Sequence, residues 1–318
     1  MSSRRNVVMS AAACVTGLAL SGRQQAMAAE SSLSYKVPAG ACDCHVHIIG
    51  ARDKYPMLPD RAYTPPEASV PDLQAHLSSL HLTRVVLVQP SFYGTDNRCL
   101  VDALAKLGTA ARGIAVIDGA TPADELNKLA GHGVRGVRIN LESLGSRDPA
   151  AARRALGELA GRIAPLGWHI QIYAALEIIA AIADHIAALP VPVVLDHFAT
   201  AKAAQGTAQA DLQPVLSLIR NGHAYVKLSA PYRISKEAPA YGEVLPLAQA
   251  FIAANPERML WASDWPHTDR APGVAATAVS PFRKTDDLAT LDLLASWAPD
   301  ESLRKKILVD NPARLYGF

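Results

Sequence analysis

Cysteine is scarce in this chain, with four in 318 residues. That excludes a disulfide-stapled miniprotein. Aromatic residues are also few, at 6%, but the apolar fraction is 50% and the charged fraction 19%. Intrinsic disorder needs the opposite balance, so it is excluded too. A surplus of one charge sign is missing. The formal net charge of +2 rests on Arg4, Arg5 and Arg23, because residues 1–28 hold no acid; beyond them 28 basic residues face 29 acidic ones. No basic excess remains for nucleic acid or for an anionic membrane surface.

Residues 1–28 read as a removable export signal. Arg4 and Arg5 form a charged start, residues 7–20 are apolar and uncharged, and Ala26-Met27-Ala28 is a small-x-small cleavage site. The apolar run is too short for a spanning helix, which needs roughly 20 residues. Ser3-Arg4-Arg5-Asn6-Val7-Val8 resembles a twin-arginine signal, with Val7 where that signal usually has Phe. The expected location is periplasmic, with no membrane anchor after cleavage.

The mature part, 29–318, reads as one α/β domain. Short β-branched apolar runs recur at 41–48, 84–90, 112–118, 134–140, 168–174, 191–197, 224–229 and 258–264. Alanine- and leucine-rich amphipathic stretches fall between them at 71–80, 100–110, 150–164, 177–188, 212–221 and 244–254. Strands alternating with helices predict a parallel sheet. Eight units in a domain of this size predict a (β/α)8 barrel, which typically spans about 250 residues. A doubly wound sheet would want a glycine-rich phosphate loop after its first strand. Cys44-His45-Val46-His47 stands there instead. The proline-rich stretches 52–71 and 265–284 read as loops over the barrel mouth.

Barrel enzymes carry their chemistry at the C-terminal ends of strands. The polar residues there are His45 and His47, Gln89 and Ser91, Arg138 and Asn140, Gln171 and Tyr173, Asp196 and His197, Lys227 and Ser229, and Asp264. Alternation sends His45 and His47 to one face. Two such imidazoles make a metal pair or a pair of donors to one oxygen. Asp264 ends an apolar run, where a carboxylate ligates a metal, activates water or caps a helix. Arg138 lies on an otherwise apolar strand, so its guanidinium needs an anionic partner, either a substrate or a structural carboxylate.

Asp43-Cys44-His45-Val46-His47, Leu195-Asp196-His197 and Trp261-Ala262-Ser263-Asp264-Trp265-Pro266-His267 together resemble the amidohydrolase superfamily, in its amidohydrolase-related branch. Within that branch, Val88-Gln89-Pro90-Ser91-Phe92-Tyr93-Gly94, Arg135-Gly136-Val137-Arg138-Ile139-Asn140 and Ala230-Pro231-Tyr232-Arg233-Ile234-Ser235 resemble the 2-pyrone-4,6-dicarboxylate lactonase group, with D-galactarolactone isomerase nearby. The resemblance implies a hydrolase that opens a carboxylated lactone, a small acidic substrate. Asp264 would activate water, and His45, His47 and His197 would polarise the carbonyl. Tyr63, Ser91, Arg138, Tyr173 and Arg233 would hold the substrate. Leu144 and Thr200 stand where those lactonases carry further arginines, with Arg147 or Lys202 as nearby substitutes. A lactone with one carboxylate fits that arginine count better than pyrone dicarboxylate does.

The resemblance leaves the cofactor open. The lactonases work without a metal, while His45, His47, His197 and Asp264 form a sound donor set for one Zn²⁺. A binuclear site is disfavoured, since the fourth strand offers no lysine and the fifth ends in Tyr173. The rival readings are a zinc-dependent decarboxylase of the same branch, a lactone isomerase and a non-catalytic solute-binding barrel.

Overall fold

The computed structural model describes residues 33–143 and 145–318. The export segment expected at 1–28 and Leu144 lie outside the described residues. Eight strands follow one another: β1 (Cys42–Val46), β2 (Arg84–Val88), β3 (Ala111–Ala115), β4 (Val134–Asn140), β5 (His169–Tyr173), β6 (Val193–Leu195), β7 (Ala224–Ser229) and β8 (Met259–Ala262). They pair in sequence order, and every pairing is parallel. The ring closes just above β8. There the Asp264 amide donates to His45 O at 3.1 Å, and the His47 amide donates to Trp265 O at 2.9 Å. This is the expected (β/α)8 barrel, with each predicted strand in place: β4 and β7 keep their expected bounds, β3 starts one residue early, and the ends of the others are trimmed.

The outer layer holds α1 (Val70–Ser79), α2 (Arg98–Leu107), α3 (Ala123–Gly131), α4 (Pro149–Ile163), α5 (Leu176–Ala181), α6 (Ala183–Ala188), α7 (Leu212–Arg220), α8 (Leu245–Ala254) and α9 (Asp287–Trp297). Capping residues set several starts. Ser69 and Asp72 form a capping box on α1, and the Asp148 and Asp286 side chains accept from the first turns of α4 and α9. The stretch expected as one helix at 177–188 divides at Ile182, whose backbone leaves the helical region. Helix α3 was not expected: it buries only Leu126 and Leu129, so its apolar stripe is faint. The chain ends in α10 (Glu301–Lys305) and α11 (Asn311–Tyr316). No helix among the described residues is long and apolar enough to cross a membrane.

Two apolar cores result. The larger lies between strands and helices. The smaller fills the barrel floor with Cys42, Cys44, Val86, Val88, Ile114, Val194, Tyr225, Leu260 and Ala262, sealed by Tyr316 from α11. The three described cysteines are free thiols. Strand β1 breaks register between Asp43 and Val46. Such an irregularity re-aims a side chain. Cys44 and His45 both face the barrel interior as a result, Val46 packs outward, and His47 turns inward again.

Above the mouth, the two proline-bearing loops meet. Thr64 bridges Val279, the Ser280 amide donates to Thr64 O at 2.8 Å, and Tyr63 Oη lies 3.1 Å from Thr268 Oγ1.

Candidate active site

Four buried groups converge at the strand ends. His45 comes from β1 and His47 from the residue after it; His197 follows β6, and Asp264 follows β8. The chain turns left-handed at His197 (φ 48°) and Asp264 (φ 68°). Non-glycine residues adopt this region at a cost of about 1–3 kcal/mol, typically where function demands it. The Nε2 atoms of His45, His47 and His197 lie 3.7, 3.9 and 3.7 Å from Asp264 Oδ1. His45 Nε2 and His47 Nε2 are 3.3 Å apart.

Each imidazole is oriented from behind. His47 Nδ1 donates to Val88 O at 2.7 Å, and His197 Nδ1 lies 2.8 Å from Ser229 Oγ. His45 Nδ1 lies 3.2 Å from both Asp196 Oδ1 and Lys227 Nζ. Burial is the main cause that lowers all three histidines. His47 and His197 fall to about 4, and His45 falls well below its usual value. They are therefore neutral near pH 7, and each has one ring nitrogen with a hydrogen and one with a lone pair.

The two oxygens of Asp264 differ. Oδ2 accepts from Tyr232 Oη at 2.7 Å and from Arg233 Nε at 2.7 Å, with Arg233 Nη2 at 2.6 Å. Oδ1 is buried and accepts from none of the described residues. Burial opposes the charge of Asp264, but the Arg233 guanidinium and then the imidazoles outweigh it. Together they hold the carboxyl far below the usual range. So Asp264 is ionised, anchored through one oxygen and free at the other.

The open side of the site is a cavity of about 200 Å³, lined by Tyr63, Arg138, Tyr173, His197, Arg233 and Asp264, with Asn140 and Arg270 at its mouth. Arg138 is loosely held: Nη1 donates to Gln89 O at 3.3 Å, the nearest carboxylate (Asp196) is 3.9 Å from Nε, and Nε has no partner. The structure thus brings His45, His47, His197, Asp264, Tyr63, Arg138, Tyr173 and Arg233 together. Ser91 opens a short turn after β2 and is not among the lining residues. Arg233 meets the cavity with its guanidinium already on Asp264. Of the suggested substitutes, Arg147 is exposed and pairs with Glu142, and Lys202 is exposed. Thr200 donates its hydroxyl to Ala174 O at 2.8 Å.

Sequence reasoning gave no role to Tyr232, Ser229, Asp196, Gln171, Lys227 or Arg270. Four of these were visible as polar positions on strands or at their ends, sharing the inward parity of their neighbours. Tyr232 and Arg270 lie in loops, where no periodicity points inward or outward.

The family described as amidohydrolase matches residues 42–318. The chain belongs to this family. It is 36% identical over 296 residues to a 2-pyrone-4,6-dicarboxylate hydrolase of Comamonas testosteroni, covering 90% of this chain and 93% of that protein. It is 34% identical over 293 residues to a 4-sulfomuconolactone hydrolase of Rhizobium radiobacter, covering 91% and 94%. A crystal structure described as a probable 2-pyrone-4,6-dicarboxylic acid hydrolase from Acinetobacter baumannii, with citric acid bound, superposes with a TM-score of 0.73 at 26% identity, over 88% of this chain and 100% of that one.

A metal suits this amidohydrolase site on its own geometry. Asp264 Oδ1 is an unpartnered buried oxygen facing three Nε2 atoms. Nitrogen and carboxylate ligands of this kind suit a divalent cation, zinc first among them. His47 and His197 are also braced through Nδ1, on Val88 O and Ser229 Oγ, as metal-bound histidines are.

Proposed function

We propose that this amidohydrolase opens the ring of a carboxylated lactone by adding water, and that the carboxylate is held by Arg138. The observation that carries the reading is Asp264 Oδ1, ionised and unpartnered at the base of a cavity bearing a loosely held arginine. The identities to hydrolases of a pyrone dicarboxylate and of a sulfomuconolactone support an acidic lactone as the substrate class.

The residues divide the work. A water between Asp264 Oδ1 and the lactone carbonyl gives its proton to Asp264 as its oxygen attacks the carbonyl carbon. The oxyanion forms against imidazole N–H groups, those of His45 or His197, since His47 gives its hydrogen to Val88 O. Collapse breaks the bond to the ring oxygen, which takes the proton back from Asp264. The new carboxylic acid ionises, so one proton is released per turnover. Asp264 is a weak base while Arg233 holds it. Its advantage is position rather than basicity. Held by His45, His47, His197 and Asp264, a Zn²⁺ ion would supply Lewis-acid polarisation of the carbonyl oxygen.

A screen of carboxylated lactones with a pH indicator tests the reading, run with chelator and with added zinc. Acid release from a lactone with one or two anionic groups is expected. No acid release from any of them, in either condition, would refute it.

We also propose that residues 1–28 export the protein to the periplasm by the twin-arginine route. A reporter fused to residues 1–35 should reach the periplasm. Changing Arg4 and Arg5 to lysine should stop it.

A further inference from the structure

Lys227 has no part in the hydrolysis above, yet it is fully buried inside the barrel on β7. Three groups surround its ammonium: Gln171 Oε1 at 2.7 Å, Asp196 Oδ1 at 3.2 Å and His45 Nδ1 at 3.2 Å. Gln171 is fixed in turn, because its Nε2 donates to Asp196 Oδ2 at 3.0 Å. An ammonium has three hydrogens and no lone pair. All three find acceptors here provided His45 Nδ1 carries a lone pair, and the ammonium then bridges that lone pair and Asp196 Oδ1, two acceptors 3.2 Å apart.

The contacts on the other side of His45 agree. His47 Nδ1 lies 2.7 Å from Val88 O, and a carbonyl only accepts, so the hydrogen of His47 is on Nδ1 and its lone pair on Nε2. His45 Nε2 faces that lone pair at 3.3 Å. A hydrogen on His45 Nε2 makes this contact a hydrogen bond. The opposite arrangement puts the hydrogen on Nδ1, toward Asp196 Oδ1 at 3.2 Å. It sets an N–H against the Lys227 ammonium and leaves two lone pairs opposed. Only a cation between them relieves that opposition.

We propose that Lys227 is a positioning residue that holds the ring hydrogen of His45 on Nε2. His45 is then a hydrogen-bond donor at the base of the site, and a metal can take its Nε2 only once that hydrogen has moved to Nδ1. That this donor serves a substrate carbonyl rests on the lactone-opening reading; the place of the hydrogen does not. Without Lys227, Asp196 becomes the sole partner of His45 Nδ1. A carboxylate behind an imidazole in this way frees Nε2 for a metal.

The test is nitrogen NMR of the full chain, labelled with ¹⁵N-histidine and stripped with chelator. His45 is assigned by the signals lost in His45→Gln. The wild type should show Nε2 protonated and Nδ1 bare. Lys227→Met should reverse the two, and its zinc affinity, measured against a chelating indicator, should tighten about tenfold or more. A wild-type His45 with its hydrogen on Nδ1 overturns the proposal, and that spectrum needs no folded variant. So does a folded Lys227→Met protein that keeps the hydrogen on Nε2 or binds zinc no more tightly. A wild type with the expected hydrogen that opens no lactone refutes the proposed function and leaves this assignment standing.

Discussion

Two arginines face one cavity from opposite walls, and they do different things. On the β7–β8 wall, Arg233 grips Asp264 Oδ2 through Nε and Nη2 at 2.7 and 2.6 Å. On the β4 wall, Arg138 has one 3.3 Å contact with a backbone carbonyl and, among the described residues, no carboxylate closer than 3.9 Å. The first guanidinium is committed before any ligand arrives. The second keeps an unpartnered Nε. An arginine in a site therefore reads as a substrate contact only after its protein partners have been counted. On the function proposed above, the β7–β8 wall does the chemistry and the β4 wall holds the substrate.

The sharpest way to break this division is at Asp264. Asp264→Asn keeps the shape and removes the proton acceptor. A positioned base contributes about 10²–10⁴-fold, so kcat should fall by at least that much while circular dichroism stays unchanged. Retention of a tenth of wild-type turnover would remove Asp264 from its role.

Arg233→Met should come next. Breaking a buried ion pair costs on the order of 3 kcal/mol, so the melting temperature should drop markedly. The Asp264 carboxyl, freed from its strongest stabilising charge, should move up toward the ordinary range. The acid limb of the kcat/KM profile should then move to higher pH. The loss in rate should be alike for acidic lactones and for their neutral esters.

Arg138→Met should act selectively. Losing a charged contact to a substrate anion costs about 2 kcal/mol, or roughly thirtyfold in KM for the acid, with little change for the ester. Arg138→Lys should recover part of it, since an ammonium lacks the bidentate fork. Equal losses on acid and ester would make both walls catalytic and erase the comparison.

The smallest effect lies behind the catalytic wall. His76 on α1 sits 3.5 Å from Asp43 Oδ2 and 3.4 Å from Asp287 Oδ2. Burial opposes its charge, but the carboxylates of Asp287 and Asp43 outweigh burial and raise it to about 9. Its unfolded value is about 6.5. Stability from this group is thus complete below about pH 6.5 and lost as pH rises through about 9. Melting curves from pH 6 to 10 should show wild type losing more stability than His76→Gln, on the order of 1–3 kcal/mol.

Much of this was legible in the sequence. The alternation of β-branched runs with alanine-rich stretches set the eight strands, and the strand-end rule picked out His45, His47, His197, Asp264 and Arg138. The parity of His45 and His47 told their common direction, but not the register break that lets Cys44 face inward beside His45. Helix α3 stayed hidden because two buried leucines make too faint a stripe.

What the sequence determined by itself is what local periodicity carries: the barrel, the order of its strands and the polar residues at their ends. Only the tertiary structure decided which partner each polar group takes. Arg233 and Asp264 are 31 residues apart, Lys227 and His45 182 apart, and His45 and Asp196 151 apart. Pairing at such separations is set by the closure of the barrel, which brings β1 against β8 and crowds every inward side chain into one low-dielectric interior. There a charge without a partner is too costly to leave, so the geometry of the ring, and not the spacing along the chain, settles who holds whom.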